Sequence, residues 1–195
     1  MKKSLMSYIN ILVEHEIVRR YIIINSFDGA LTILGIVVAV FMSGITDPKL
    51  IIIPSIGASI AMCVSGIWGS YAAERVEIKK KIRTIEAHLM KDLSGTEFSR
   101  KRERMAWVIG IVDGVIPLII ALILIFPFFC VPAGCLTMQA AYYLSFALIA
   151  VNLFGLGVFA GRIAKESVVK HGFMMLLAGV IIGLIFMLLV FLGVL

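Results

Sequence analysis

The sequence predicts an all-α integral membrane protein with five transmembrane helices, and three observations carry that prediction. Of 195 residues, 61% are hydrophobic and only 15% charged, with a mean hydropathy of +1.07; a soluble domain has about 45–50% apolar and 25% charged residues. Apolar stretches run at about 21–44, 49–73, 105–127, 138–161 and 172–195, each near the roughly 20 residues that cross a bilayer core as a helix. The charges gather between these stretches. Such a chain is a single transmembrane domain over 1–195, with almost no length left for a soluble unit. A disulfide scaffold, a disordered chain and a nucleic-acid binder are excluded, because the net charge of +6 sits at membrane borders.

Residues 1–20, MKKSLMSYINILVEHEIVRR, start like a signal peptide. Asn10, Glu14 and Glu16 interrupt the apolar part, and no small-residue cleavage site follows, so the segment is expected to be retained. Leu5, Tyr8, Ile9, Leu12, Val13 and Ile17 recur at helical spacing with charges opposite. That pattern predicts a helix lying along the membrane interface as an anchor.

Spans one and two are separated by Asp47-Pro48. Spans three and four are separated by FPFFCVPAGCLT, whose two prolines cannot both continue a helix. Cys130 and Cys135 flank the turn there, either as a loop disulfide or as two small hydrophobes. The 74–104 segment is a short cytoplasmic charged helical stretch. Its apolar stripe is Ile78, Ile82, Ile85, Leu89 and Leu93, broken at Ser94-Gly95, with Ser94 and Glu97 placed to cap the next helix.

Orientation follows from 18 Lys and Arg residues: four precede span one, ten separate spans two and three, three separate spans four and five, and Lys49 alone is in the first hairpin. Seventeen thus share one side, which the positive-inside rule makes cytoplasmic. The N terminus is expected inside and the C terminus outside, with Trp107 in the aromatic belt beside Arg104.

The chain also repeats. Phe27-Asp28-Gly29 in span one is echoed by Val112-Asp113-Gly114 in span three, and Trp68-Gly69-Ser70-Tyr71 by Phe154-Gly155-Leu156-Gly157. Both halves cross in the same direction, which predicts a parallel repeat of helices 1-2 and 3-4 with a fifth helix outside it.

Asp28 and Asp113 are the residues most costly to place in lipid. Each lies eight or nine positions past an interfacial arginine, roughly 12–14 Å inward, where a carboxylate costs about 2.5–3.5 kcal/mol. Asp28 heads a small and polar stripe of Asn25, Gly29, Thr32, Gly35, Ala39 and Ser43, whereas Asp113 is followed by a greasy run. A polar stripe through a bilayer is either the wall of an ion path or a tight helix contact. On span two, Gly57, Ala61, Ser65, Gly69 and Ala73 recur every four residues as a ribbon for helix packing. Beside it Ser59, Met62 and Cys63 offer hydroxyl and soft sulfur ligands. Gly179 and Gly183 give span five its own pairing motif. Glu74 and Glu77 are acids near the cytoplasmic end of span two, among lysines. No nucleophile elbow, phosphate loop or zinc-spaced histidine pair is present, so an enzyme is not expected.

The run EHEIVRRYIIINSFDGALTILGIVVAV resembles the start of the vacuolar iron transporter family, with its basic stretch, Asp-Gly and small, Thr-containing first helix. Ala61-Met62-Cys63-Val64-Ser65-Gly66 resembles the family's small-Met-x-x-Gly-Glu signature, with Gly66 in the place of the glutamate. The resemblance implies a homodimer in the bilayer that exports ferrous or manganous ions from the cytoplasm, against protons, between the two first helices. It makes Asp28 and Met62 translocation ligands. Asn25 and Thr32 lie along the same path, and Glu74 and Glu77 are candidates at its cytoplasmic mouth. Fe2+ or Mn2+ would be the transported substrate, with no resident cofactor. A membrane scaffold that keeps the fold without transporting is the rival reading.

The topology is tested by labelling intact cells with a membrane-impermeant maleimide. With Cys63, Cys130 and Cys135 replaced by Ser, Leu195→Cys should react from outside, and Ile85→Cys and Lys165→Cys should not; the reverse pattern would invert the orientation.

Overall fold

A computed structural model describes residues 2–90 and 96–193, with the side chains of 2–15, 17, 89, 98 and 99 outside the description. The described residues form five helices: α1 (Lys2–Met42), α2 (Lys49–Leu89), α3 (Glu97–Phe129), α4 (Met138–Ala164) and α5 (Val168–Phe191). All five contain a stretch long and apolar enough to cross a membrane.

Two boundaries differ from expectation. α1 runs unbroken through residue 20, and α2 runs unbroken from Lys49 past residue 74 to Leu89. Neither junction contains Gly or Pro, and the Ala, Glu, Lys and Arg residues at 72–81 favour helix continuation. At 41 residues, each helix is about 60 Å long, twice the hydrocarbon thickness, so both project beyond it. The 74–104 charges are therefore shared between an extension of α2 and the first turns of α3. α2 closes on Met90, in the left-handed conformation, with its N–H on the Glu86 carbonyl. The expected stripe of Leu5, Tyr8, Ile9, Leu12, Val13 and Ile17 lies outside the described side chains, as do Leu89, Leu93 and the Ser94 cap.

The helices pack as two closely joined pairs. α2 and α3 meet backbone to backbone where glycine leaves room. A Cβ on Gly66 would lie 2.8 Å from Gly114 Cα, one on Gly110 would lie 2.7 Å from the Ile67 carbonyl oxygen, and one on Gly114 would collide with the Cys63 carbonyl oxygen. α4 and α5 meet in the same manner, Gly157 against the backbone of His171 and Gly172, and Gly172 beneath the Phe154 ring. The expected pairing motif of span five is displaced accordingly. Gly179 meets Leu153 and Leu34 side chains, Gly183 faces open space, and the close approach is made two to three turns earlier, at Gly172.

α1 lies against α3, with Gly29 on Pro117, and joins the apolar core. That core occupies the half of the molecule toward the 43–48 and 130–137 turns. It contains Ala30, Ile33 and Val37 of α1, Leu124, Ile125 and Phe128 of α3, and Ala141, Ile149 and Leu153 of α4. Phe128 and Phe41 both stand edge-on to Tyr142, at 5.3 and 5.0 Å between centroids. The Tyr142 hydroxyl donates to the Ile45 carbonyl at 3.0 Å, and Ser145 donates to the Leu124 carbonyl at 2.8 Å, so these buried hydroxyls are satisfied. In the 130–137 turn the Cys135 N–H bonds the Cys130 carbonyl at 3.1 Å, and both thiols are free. The loop disulfide is not formed; backbone hydrogen bonding and Gly134 at φ +73° close the turn instead.

The ribbon on α2 is not used within the chain. Gly57 and Gly69 have no neighbouring atom within van der Waals range, and Ala61, Ser65 and Ala73 are exposed. The contact with α3 uses the adjacent face through Gly66, leaving the four-residue ribbon uncovered.

Gly114→Ala must separate α2 from α3 and should lower stability by about 1–3 kcal/mol. Gly183→Ala, with open space around it, should change stability by well under 1 kcal/mol. Thermal unfolding in detergent checks the contrast.

Candidate functional site

The glycine contact sets the register of α2 on α3, and that register brings Asp113 beside Ser70. Both Asp113 oxygens are engaged: Oδ1 accepts from Asn25 Nδ2 of α1, and Oδ2 accepts from Ser70 Oγ of α2. One carboxylate thus ties three helices together. Asn25 Nδ2 also donates to the Tyr21 carbonyl at 2.8 Å, which fixes the amide on its own helix.

Next to this tie opens a cleft of about 520 Å³, lined by Asn25 and Asp28 of α1, Ala61, Met62, Ser65, Gly66, Gly69 and Ser70 of α2, and Asp113 and Pro117 of α3. Three predicted residues, Asp28, Met62 and Asn25, therefore line one space. Thr32 stands at its edge, donating to the Asp28 carbonyl at 2.8 Å and lying 3.6 Å from the Met62 sulfur. Its hydroxyl is turned onto its own helix, as Ser43 is turned onto the Ala39 carbonyl at 2.8 Å. The polar stripe of span one is therefore divided. Gly29 is covered by Pro117, Asn25 is held by Asp113, and Asp28 is exposed.

Asp28 and Asp113 differ in what holds them. Among the described residues no side chain or N–H hydrogen bonds to the Asp28 carboxylate, and no Lys or Arg lines the cleft. Two acids face a space with no basic partner, a setting that favours a cation. The thioether of Met62 adds a soft ligand suited to a transition metal. Among the described residues no group of three or more His, Cys, Asp or Glu side chains converges. A divalent ion taking six ligands would thus need water or a second chain to complete its shell.

The two acids expected at the cytoplasmic mouth, Glu74 and Glu77, separate. The Tyr21 hydroxyl donates to Glu74 Oε1 at 3.4 Å, joining α1 to α2 one turn beyond Ser70. Met62, Gly66, Ser70 and Glu74 follow at four-residue steps, so Glu74 stands about 18 Å along α2 from Met62, on a ridge that winds about 120° around the helix. Glu77 is instead on the exposed side, 3.6 Å from Lys81 in a surface pair. Ser59, proposed beside Met62 as a hydroxyl ligand, is buried and donates to the Ser55 carbonyl, away from the cleft lining.

Asp113 was legible in the sequence as a buried carboxylate, but not as a wall of the Asp28 cleft. The second Asp-Gly of the sequence, at 113–114, was the signal for that pairing. Gly66 has a structural reason as well: it touches Gly114, so a larger side chain at that point would force α2 off α3.

These features define a polytopic helical membrane protein with an acidic cleft inside its bilayer region. Residues 74–191 match the VIT family. The chain is also 30% identical to an uncharacterised protein of Methanocaldococcus jannaschii over 186 residues, 94% of this chain and 93% of that one. The chain belongs to the VIT family, and membership suggests membrane transport of metal ions. No solved structure matches it.

Removing the Asp113 carboxylate leaves the donors of Asn25 and Ser70 without an acceptor, so Asp113→Ala should cost about 1–3 kcal/mol. Asp28→Asn removes no hydrogen bond and should stay within about 0.5 kcal/mol of the unaltered protein. Parallel unfolding curves of the two variants check this.

Proposed function

We propose that the protein exports ferrous or manganous ions from the cytoplasm as a homodimer, exchanging them for protons. The observation that carries this reading is the convergence of Asp28, unpartnered, with Met62 and Asn25 in a cleft that has no basic residue. An ion leaving water must recover its hydration energy from charge and oxygen or sulfur ligands, and Asp28 supplies the charge. A carboxylate that releases a cation can take a proton in its place, which provides exchange without a further group. Asp113 keeps its hydrogen bonds to Asn25 and Ser70 and holds the wall of the path. Glu74 stands at the cytoplasmic mouth, one turn beyond Ser70.

Dimerisation is supported by two features of one face. The cleft offers one chain's worth of ligands, too few for a six-coordinate ion. The ribbon of Gly57, Ala61, Ser65 and Gly69 beside it is uncovered, and small residues let a second backbone come close. With two copies in contact there, two Asp28 carboxylates and two Met62 thioethers would flank one path. The spans that form it, α1-α2, would be related to α3-α4 as a parallel repeat, with the basic ends cytoplasmic.

In proteoliposomes, Asp28→Asn keeps the size of the side chain but removes its charge. It should reduce Mn2+ or Fe2+ uptake at least tenfold, with Asp113→Asn milder. Uptake by Asp28→Asn equal to that of the unaltered protein, with Asp113→Asn inactive, would move the path away from span one. No uptake by the unaltered protein would favour a scaffold role.

A further inference from the structure

A second concavity, of about 590 Å³, lies at the basic end of the α2–α3 pair and shares no lining residue with the acidic cleft. Tyr71 and Arg75 of α2 and Arg100, Glu103, Arg104 and Trp107 of α3 form its walls. The Tyr71 and Trp107 rings are stacked, with centroids 4.2 Å apart and planes 29° apart. The Arg75 guanidinium stands 5.9 Å from the Tyr71 ring centre. Among the described residues Arg75, Arg100 and Arg104 form no ion pair, although Glu103 lies in the same wall.

The levels of these groups along the helices point to the ligand. Tyr and Trp settle at the border between hydrocarbon and headgroups. Arg75 is four residues beyond Tyr71 and Arg104 three residues beyond Trp107, so both guanidinium groups stand about one turn, roughly 5 Å, further from the bilayer centre. Arg100 is another turn out. An aromatic floor at the border with arginines one turn above it matches a phospholipid, whose glycerol and acyl chains lie under its phosphate. Guanidinium binds phosphate oxygens in pairs, which ammonium groups do not. The one acid, Glu103, can accept a hydrogen bond from a headgroup hydroxyl and would repel a second phosphate more strongly than a neutral wall, so a singly charged headgroup fits best.

We propose that this concavity binds the headgroup phosphate of an anionic glycerophospholipid from the surrounding leaflet, with Arg75 and Arg104 on the phosphate, Arg100 outermost, and Tyr71 and Trp107 against the glycerol. It is independent of ion transport: the site is built on the outside of the α2–α3 pair and needs neither Asp28 nor Met62.

The full chain is purified in detergent, stripped of lipid, and offered equal amounts of phosphatidylglycerol and phosphatidylcholine, with retained lipid counted by native mass spectrometry. The unaltered protein should retain phosphatidylglycerol about tenfold in preference. Arg75→Gln combined with Arg104→Gln should bring the two lipids near parity. Lys79→Gln combined with Lys80→Gln, two exposed residues of the neighbouring α2 surface, should leave the preference in place. If the double arginine variant does not fold, Arg104→Gln alone is read in the same way and should lose at least half of the preference. Equal retention of both lipids by the unaltered protein, or a preference that survives loss of the arginines, overturns the site. So does an equal loss in the lysine variant, which would mark a diffuse charge effect. Displacement of phosphatidylglycerol by millimolar inorganic phosphate would assign the arginines to a soluble phosphate instead of a lipid and overturn the proposal.

Discussion

Everything in the bilayer half that holds the acids depends on the contact of α2 with α3 through Gly66, Gly110 and Gly114. In lipid there is little hydrophobic gain in pressing one apolar helix on another, so close association comes from van der Waals contact and polar ties. Glycine permits the first by letting backbones touch. The second follows from the register this contact sets, because Asp113 then meets Ser70 across the seam and Asn25 of α1 from the side. A Cβ at Gly114 would break the contact and, with it, the geometry of the tie.

The tie explains how two aspartates at similar depth come to differ. Asp113 spends both oxygens on neutral donors and serves as a fixed wall. Among the described residues Asp28 has no such partner, and it faces an exposed cleft. The apolar core is placed at the opposite end, around Phe128, Tyr142 and Ile33, so the acidic half is left comparatively open while the other half is closed by packing. In a molecule that passes ions, such a division would let one end admit solvent while the other stays sealed.

The five spans were legible because hydropathy depends only on local composition, and the 130–137 turn because Pro132 cannot propagate a helix. Asp28 was legible for the same reason: a charge among apolar residues is conspicuous in one dimension. The partners were not. Whether Ser70 or Thr32 turns its hydroxyl toward a neighbouring helix or back onto its own depends on helix rotation, which local pattern does not fix. The α2 ribbon shows the limit well. Its strict four-residue spacing announces a helix contact but not which helix makes it, and within the chain α3 packs on the adjacent Gly66 face instead. The family signature carried Met62 to the site, and the repeat of Asp-Gly carried the clue that Asp113 would stand across from Asp28. The continuity of α1 and α2 past their spans follows from the lack of Gly and Pro, because the change from apolar to charged residues marks a membrane border and not a helix end.

The central claim is that Asp28 gives the cleft its affinity for a divalent transition metal. It is tested most directly by titrating the purified protein with Mn2+ and following the loss of the free-ion electron paramagnetic resonance signal. The account predicts saturable binding that Asp28→Asn abolishes and Glu77→Gln leaves intact. Saturable binding of equal affinity in the Asp28→Asn protein would contradict it.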